Sequence, residues 1–462
     1  MDYPEAVAYL ESLVDYEREL PSAQARRWNT ERIARVLEAL GNPHQALPVV
    51  HVAGTKGKGS TCALIASLLD AAGYRVGLFT SPHLVSPRER ICIDGKPIPA
   101  PELASLVSRL RPHLQAVQGP GGPPSFFEAY AALAFLYFAQ SRVQAAVIET
   151  GLGGRLDATN VVAPLVTVIT RISYDHMAEL GSSLEEIAAE KAGIIKPGVS
   201  VVSSPQLQPV WQVLREAAAR QHAPLHGVRD LPAPPRTAER WAEAWVEVAL
   251  GRPRSAVVVL RHAGLDGISF DLKGLRREYR DLHCPLIGEH QVTNAATAIT
   301  AVELLPPSLE VPAAAIREGL ARVRWPGRLD IVSRHPWIVL DGAHDAASAV
   351  ALRRAVSLFA PERVLLILGI SRDKDVEAIG RELCPLAHTT IFTAARTPRA
   401  ASPQELQQRL GSWCRQAQAA PDVAAALEQA RPLAGTRDLV LVTGSLYLVG
   451  EALQALGKAE PD

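Results

Sequence analysis

A chain of 462 residues exceeds what one ordinary hydrophobic core organises, so two or three domains are expected. Its 48 Lys and Arg against 48 Asp and Glu leave no net charge, which argues against a nucleic-acid or membrane-surface partner. The five cysteines (Cys62, Cys92, Cys284, Cys384 and Cys414) show no C-x-x-C spacing, so neither a disulfide framework nor a zinc site is expected.

The N-terminal stretch MDYPEAVAYLESLVDYEREL is acidic and lacks the basic region and apolar run of a signal peptide. No apolar stretch approaches the ~20 residues of a membrane span. A cytoplasmic protein with reduced thiols is the expectation. Residues 48–53 read as a short buried strand. Residues 60–72 read as a helix with apolar Leu64, Ile65, Leu68 and Leu69 on helical spacing.

The join between them is His51-Val-Ala-Gly-Thr-Lys-Gly-Lys-Gly-Ser-Thr61. Gly54, Gly57 and Gly59 let the backbone wrap closely, so successive N–H groups and the helix N-terminus can face phosphate oxygens. Lys58 supplies a point charge for β/γ-phosphates, and the Ser60 hydroxyl can reach Mg²⁺. A glycine separates that lysine from the serine, unlike the common G-x-x-x-x-G-K-[ST] pattern. The plain alternative is a glycine-rich turn with no ligand. The order of glycines, lysines and Ser-Thr favours a nucleoside triphosphate.

Further along, Ser81-Pro-His83 follows an apolar run at 76–79; Ser81 could offer a hydroxyl to a metal, or the segment is a proline-stiffened turn. Residues 131–139 read as a core helix. The continuous apolar runs 143–149 and 164–170 are of the buried parallel-strand type, whose carboxyl ends carry ligands in α/β folds. Glu149 ends the first and precedes Thr-Gly-Leu-Gly-Gly-Arg155-Leu-Asp157-Ala-Thr-Asn160. A carboxylate there suits an acidic metal ligand opposite a phosphate loop, while Arg155, Asp157, Thr159 and Asn160 offer polar contacts. A flexible loop with a capping Asp is the alternative.

Asp175-His176 follows the next run, and the imidazole could ligate a divalent ion or simply sit at the surface. Lys191, on a helix predicted over 182–194, reads by itself as a partner for Glu190 or Glu186. From about 224 to 285, Pro- and Arg-rich segments enclose strand-like 255–260 and 267–272, suggesting a small antiparallel subsheet. Helical spacing resumes over 288–305 with Ala295, Ala296, Ile299 and Val302. Four strand-like runs, 337–340, 364–368, 390–393 and 439–442, then predict a second, smaller doubly wound sheet. Its boundary is expected near 324–327, after a helix at 313–321; the turn at 305–312 competes. Asp341-Gly-Ala-His344 falls at that sheet's ligand edge. Arg328, in Trp325-Pro-Gly-Arg328, could neutralise phosphate charge across a domain cleft.

The ordered set GTKGKGST, TSPHL, ERI, FFE, ETGLGGRLDATN, DH, EKAGIIKPG, GEHQVTNAATA, WPGR and LDGAH resembles folylpolyglutamate and dihydrofolate synthases of the Mur ligase superfamily. The likeness runs from about residue 29 to 445 and is weakest over 205–280. It implies an α/β chain with an N-terminal P-loop ATPase domain (1–324), built on a parallel sheet with a small antiparallel subsheet. A smaller Rossmann-like C-terminal ligase domain (325–462) would follow, with the active site between the two. The implied activity is ATP-dependent addition of L-glutamate to a folate or to dihydropteroate through an acyl phosphate, by a monomer without nucleic-acid or membrane partners.

The resemblance assigns ATP phosphates to Gly54, Thr55, Lys56, Gly57, Lys58, Gly59, Ser60 and Thr61, and further nucleotide contacts to Asn294, Arg328 and Asp341. His344 would lie near the phosphates and, with Lys58 and Lys191, serve catalysis. Ser81 and Glu149 would hold one Mg²⁺; Glu149, His176 and Lys191 would hold a second. For the latter, Lys191 would be N6-carboxylated by CO₂. The pterin-bearing substrate would meet Ser125, Phe126, Phe127 and Glu128, the segment Arg155, Leu156, Asp157 and Ala158, and, more loosely, Asn29 and Thr30.

Two positions depart from the family pattern. Asp345 stands where relatives usually carry Asn, and Lys56 stands where many bacterial relatives carry Asn and eukaryotic ones Lys. As a helix cap Asp345 would be harmless; pointing into the cleft it would place an acid near phosphates. Two other functions remain in view, a Mur-type ligase for a different carboxylate and a non-catalytic nucleotide-binding module.

Overall fold

The computed structural model describes residues 1–17, 29–117, 122–231 and 255–459. Two sheets organise them. In chain order the first contains β1 (Val49–Ala53), β2 (Val76–Phe79), β3 (Ile91–Ile93), β4 (Lys96–Pro97), β5 (Ala145–Glu149), β6 (Pro164–Ile169), β7 (Ser200–Ser203), β8 (Leu225–Leu231), β9 (Ser255–Gly264), β10 (Gly267–Lys273) and β11 (Glu278–Cys284). Their spatial order is β11-β10-β9-β8-β7-β6-β1-β5-β2-β3-β4. From β9 to β2 every neighbour is parallel, and antiparallel strands extend both edges.

The central strands β1 and β5 are buried along their whole length, because helices cover both faces. On one face the helices Lys58–Ala71, His290–Glu303 and Ala313–Arg322 pack into a single apolar cluster with the sheet. On the other lie Ala100–Ala116 and Phe126–Gln140, with Leu184–Ala192 and Gln208–Arg220 forming a neighbouring cluster. The Phe126–Gln140 helix is apolar nearly all round and accordingly almost wholly buried.

The second sheet holds β12 (Asp330–Arg334), β13 (Trp337–Asp341), β14 (Val364–Leu368), β15 (Thr389–Phe392), β16 (Ala417–Ala419) and β17 (Leu439–Thr443), in the order β12-β13-β17-β14-β15-β16. All pairs but β12–β13 are parallel, and apolar clusters lie on both faces. Six strands replace the four expected. β12 and β16 are short edge strands of mixed burial whose sequences lack a continuous apolar run. The expected small antiparallel subsheet is present as β9-β10-β11, joined to the main sheet because β9 pairs parallel with β8. The Pro-rich stretch 232–254 lies outside the described residues. No described helix is long and apolar enough to cross a membrane.

Candidate functional site

The carboxyl ends of β1, β5, β6 and β13 open onto one cavity of about 1000 Å³ lined by residues of both lobes. This is where parallel α/β sheets place ligands, because loops leaving adjacent strands diverge there.

The glycine-rich loop leaves β1. Thr55 and Lys56 donate their backbone N–H groups to Arg171 O, both at 3.0 Å, which ties the loop to the segment after β6. Gly57 then takes φ +84°, a left-handed conformation that turns the chain into the helix. That helix begins at Lys58, two residues earlier than its apolar spacing suggests. The N–H groups of Lys58, Gly59 and Ser60 therefore form its first turn and precede the first i→i−4 bond, Thr61 N to Gly57 O. Such a turn is a ready anion site. A side chain at Gly57 would collide with Asn294 Oδ1, and one at Gly59 would come within 2.9 Å of the Trp325 ring. Asn294 and Trp325 thus close over the loop from two directions.

Glu149, at the end of β5, is buried and forms a loose ion pair with Lys58, 3.8 Å from Nζ to Oε1. Ser81 N donates to its other oxygen at 3.3 Å. Burial pushes the Glu149 carboxyl up to about 7, against the opposing pull of Lys58. Lys191 is buried too and donates from Nζ to Gly54 O at 2.8 Å. Burial, with Lys58 nearby, lowers its ammonium to about 7, so a large fraction is neutral amine near neutral pH. His176 keeps 37% of its side chain open to the cavity, yet desolvation there, reinforced by Lys374, Lys58 and Lys191, lowers its imidazole to about 3 despite Asp175.

Among the described residues, no three His, Cys, Asp or Glu side chains converge as a ready-made metal cage. The cavity lining offers donors of mixed type: the Ser81 hydroxyl, the Glu149 carboxylate, the neutral His176 imidazole and the Lys191 amine. This suits Mg²⁺, which takes one or two carboxylates and completes its shell with water and substrate phosphates. The buried Glu149 carboxylate, short of compensating positive charge, is the observation that fits a cation best.

From the second lobe, Asp341 accepts backbone bonds from Leu329 N and Ala343 N, both at 2.9 Å, and burial raises its carboxyl although Arg328 opposes this. His344 Nδ1 meets Gly342 O at 2.8 Å. A carbonyl only accepts, so Nδ1 carries the proton and Nε2 remains an acceptor. Burial lowers this imidazole to about 4.

Several expected substrate residues are committed to scaffolding. Glu128 receives Arg32 Nε at 3.0 Å and Nη2 at 3.1 Å, and completes a capping box with Ser125. Asp157 accepts Leu152 N and Thr159 N at 2.9 Å each, which sets the shape of the 151–154 glycine turn. Arg155 pairs with Glu190 at 2.8 Å, and Asn29 accepts Arg32 N at 3.2 Å. All of these line the cavity, as do Phe127, Leu156 and Ala158. Five expected residues do not: Thr159 is buried with its hydroxyl on Asp157 Oδ1 and His51 Nε2, Asn160 spends its amide on Arg155 O and Gly193 O, and three more lie outside the lining. Phe126 points into the core against Tyr130, with ring centroids 4.6 Å apart; Thr61 is fully buried; Thr30 is outside the lining. Phe126 and Thr61 adjoin residues that do face the cavity, and helical geometry turns them away.

Sequence reasoning passed over Lys374, Arg399 and Asp230, which also line the cavity. Lys374 and Arg399 lie just beyond the carboxyl ends of β14 and β15, and that position was their only signal.

Residues 327–446 match the family model described as Mur ligase, glutamate ligase domain. A Bacillus subtilis dihydrofolate synthase/folylpolyglutamate synthase is 37% identical over 435 residues, covering 92% of this chain and 94% of the relative. The Mycobacterium tuberculosis folylpolyglutamate synthase complexed with ADP and AMPPCP superposes with a TM-score of 0.83 at 30% identity, covering 100% of both chains. E. coli FolC in complex with DHPP and ADP gives 0.81 at 29% identity, covering 99% of this chain and 98% of that one.

Proposed function

Because the chain belongs to the folylpolyglutamate and dihydrofolate synthase family of Mur-type ligases, we propose that it joins L-glutamate to a folate, to dihydropteroate, or to both, at the expense of ATP. The observation that carries the reading is the convergence of Lys58, Glu149 and Lys191 on one glycine loop, facing Arg328, Asp341 and His344 of the other lobe across a single cavity. Residues 1–324 and 325–462 are the two units that this division of labour requires.

A carboxylate is a poor acylating agent, so the acceptor carboxylate first attacks the γ-phosphate of ATP, the β–γ bridge breaks, ADP leaves, and an acyl phosphate results. Phosphoryl transfer needs positioning and charge neutralisation more than covalent help. The first-turn N–H groups and the Lys58 ammonium supply both at the loop, and Arg328 adds charge from the facing lobe. Ser81 with Glu149, and Glu149 with His176 and Lys191, would hold two Mg²⁺ ions, whose bound charge would neutralise the phosphates and polarise the transferring group. For Lys191 to serve as an anionic oxygen ligand it must be carboxylated: the neutral amine adds CO₂ and releases one proton. The depressed ammonium supplies the neutral amine that this addition needs.

The glutamate amine then attacks the acyl carbon, and phosphate leaves. Walls from both lobes keep water from the acyl phosphate, which would otherwise hydrolyse. The test is an Mg-ATP assay with radiolabelled glutamate and, in parallel, dihydropteroate, tetrahydrofolate and a UDP-muramyl acid, with product mass read out. Incorporation with a pteroate supports the reading. Incorporation only with the muramyl acid would make it a different Mur-type ligase, and ATP turnover indifferent to every acceptor would leave a nucleotide-binding module.

A further inference from the structure

Four charged side chains alternate in sign across the boundary between the lobes. Lys374 Nζ, from the loop after β14, donates to Asp175 Oδ1 at 2.9 Å. Asp175 Oδ2 accepts Lys56 Nζ of the glycine loop at 3.0 Å. Lys56 Nζ in turn meets Asp345 Oδ2, back on the second lobe, at 2.7 Å. All four are mostly shielded, with side-chain exposures between 11% and 22%. Asp345 is fixed independently as the cap of the Ala346–Val356 helix, accepting Ala347 N at 3.0 Å and Ser348 N at 3.1 Å.

We propose that Lys56 and Asp345 are a matched pair which, with Asp175 and Lys374, latches the glycine loop to the second lobe and so positions the cleft. Two cross-lobe bonds, Lys374–Asp175 and Lys56–Asp345, share the central Asp175–Lys56 bond. Separating the lobes breaks both cross-lobe bonds, while Asp175 and Lys56 stay paired on the first lobe. The ammonium of Lys56 is engaged by two carboxylates, so its task is to join the lobes, while Lys58 remains the phosphate cation of the loop. The two histidines nearest the latch, His176 and His344, are sequence neighbours of its two carboxylates, and the latch fixes where both stand.

The cluster sums to zero charge, which makes its test asymmetric. Lys56→Asn leaves a surplus carboxylate beside the phosphate site. Asp345→Asn leaves a surplus ammonium but keeps the helix cap, since Asn caps about as well as Asp. The double variant is neutral again. Small-angle scattering of the full chain without nucleotide reads lobe separation, and calorimetry with AMPPCP reads nucleotide affinity.

Both single variants should show a larger radius of gyration than wild type in low salt. Wild type should expand toward them as salt screens the latch, near 1 M. AMPPCP affinity should fall most in Lys56→Asn, by about tenfold, and recover at least about threefold in the double variant. Lys374→Gln, which breaks the Lys374–Asp175 bond without touching loop or cap, should expand the protein as well. Equal radii of gyration for all variants would overturn the proposal. So would strictly additive affinity losses, which would mean that Lys56 binds phosphate directly. The scattering arm needs no substrate, so it decides the latch even if the ligase reading fails.

Discussion

Lys191 Nζ and Gly54 O meet at 2.8 Å, joining the Leu184–Ala192 helix to the first glycine of the glycine-rich loop. A buried amine so placed is costly as an ammonium and poorly suited to a merely structural bond. Lys191→Ala should therefore abolish ligation, a loss of at least about a thousandfold in kcat, while nucleotide affinity changes far less. Short carboxylic acids that can occupy the vacated space should restore part of the activity. Kinetics with and without added acetate or propionate, beside calorimetry with AMPPCP, check both halves. Wild-type turnover in Lys191→Ala would end the assignment.

Glu149 yields a prediction with a defined pH sign. Its carboxyl is raised from an ordinary 4.5 to about 7. A raised carboxyl favours the protonated form in the fold, so ionisation destabilises the native state fully above about pH 7. That cost shrinks as pH falls and vanishes below 4.5. Glu149→Gln should accordingly stabilise the ligand-free protein at pH 8, by on the order of 1–3 kcal/mol, and have little effect at pH 4. Ligation should be lost at every pH. Thermal melts of both proteins across that range would show it. A variant less stable at pH 8 would contradict the unbalanced-carboxylate account.

Gly57→Ala tests the turn into the helix. Its φ of +84° disfavours any side chain, and a Cβ would collide with Asn294 Oδ1. The strain is worth about 1–3 kcal/mol, confined to a loop outside the main core. The variant should fold, melt a few degrees lower and lose most nucleotide affinity. Unchanged AMPPCP binding would show that the first turn is not the phosphate site.

Asp341 links β13 to the turn that carries Arg328 and His344, through its bonds from Leu329 N and Ala343 N. Asp341→Ala removes the carboxylate and leaves those donors unpaired. Nucleotide affinity should drop by about tenfold or more. Titration with AMPPCP measures it, and an unaltered affinity would mean that the second lobe's edge does not reach the nucleotide.

The sequence made the glycine loop legible because three closely spaced glycines between a strand and a helix have few other uses. Glu149, Asp175 and Asp341 were legible from their place at the ends of apolar runs. The edge strands β12 and β16 were not, since half-exposed strands lack a continuous apolar signature. The resemblance assigned Phe126 to the substrate together with Ser125, Phe127 and Glu128, but a single 100° step along a helix turns a side chain from cavity to core. Lys191 could not be distinguished from a surface helix lysine by spacing alone; its burial against Gly54 is a tertiary fact. The pairing of Lys56 with Asp345 is of the same kind, because only the packing of one lobe on the other brings those residues together.

The central claim is that the acceptor carboxylate passes through an acyl phosphate in the cleft between the lobes. Its most direct test supplies the acceptor, dihydropteroate or tetrahydrofolate, with a heavy oxygen isotope in the reacting carboxylate, and analyses the phosphate released with each amide formed. One labelled oxygen should appear in each phosphate, because the carboxylate oxygen that attacks the γ-phosphate leaves with it. Amide formed with unlabelled phosphate would contradict the account.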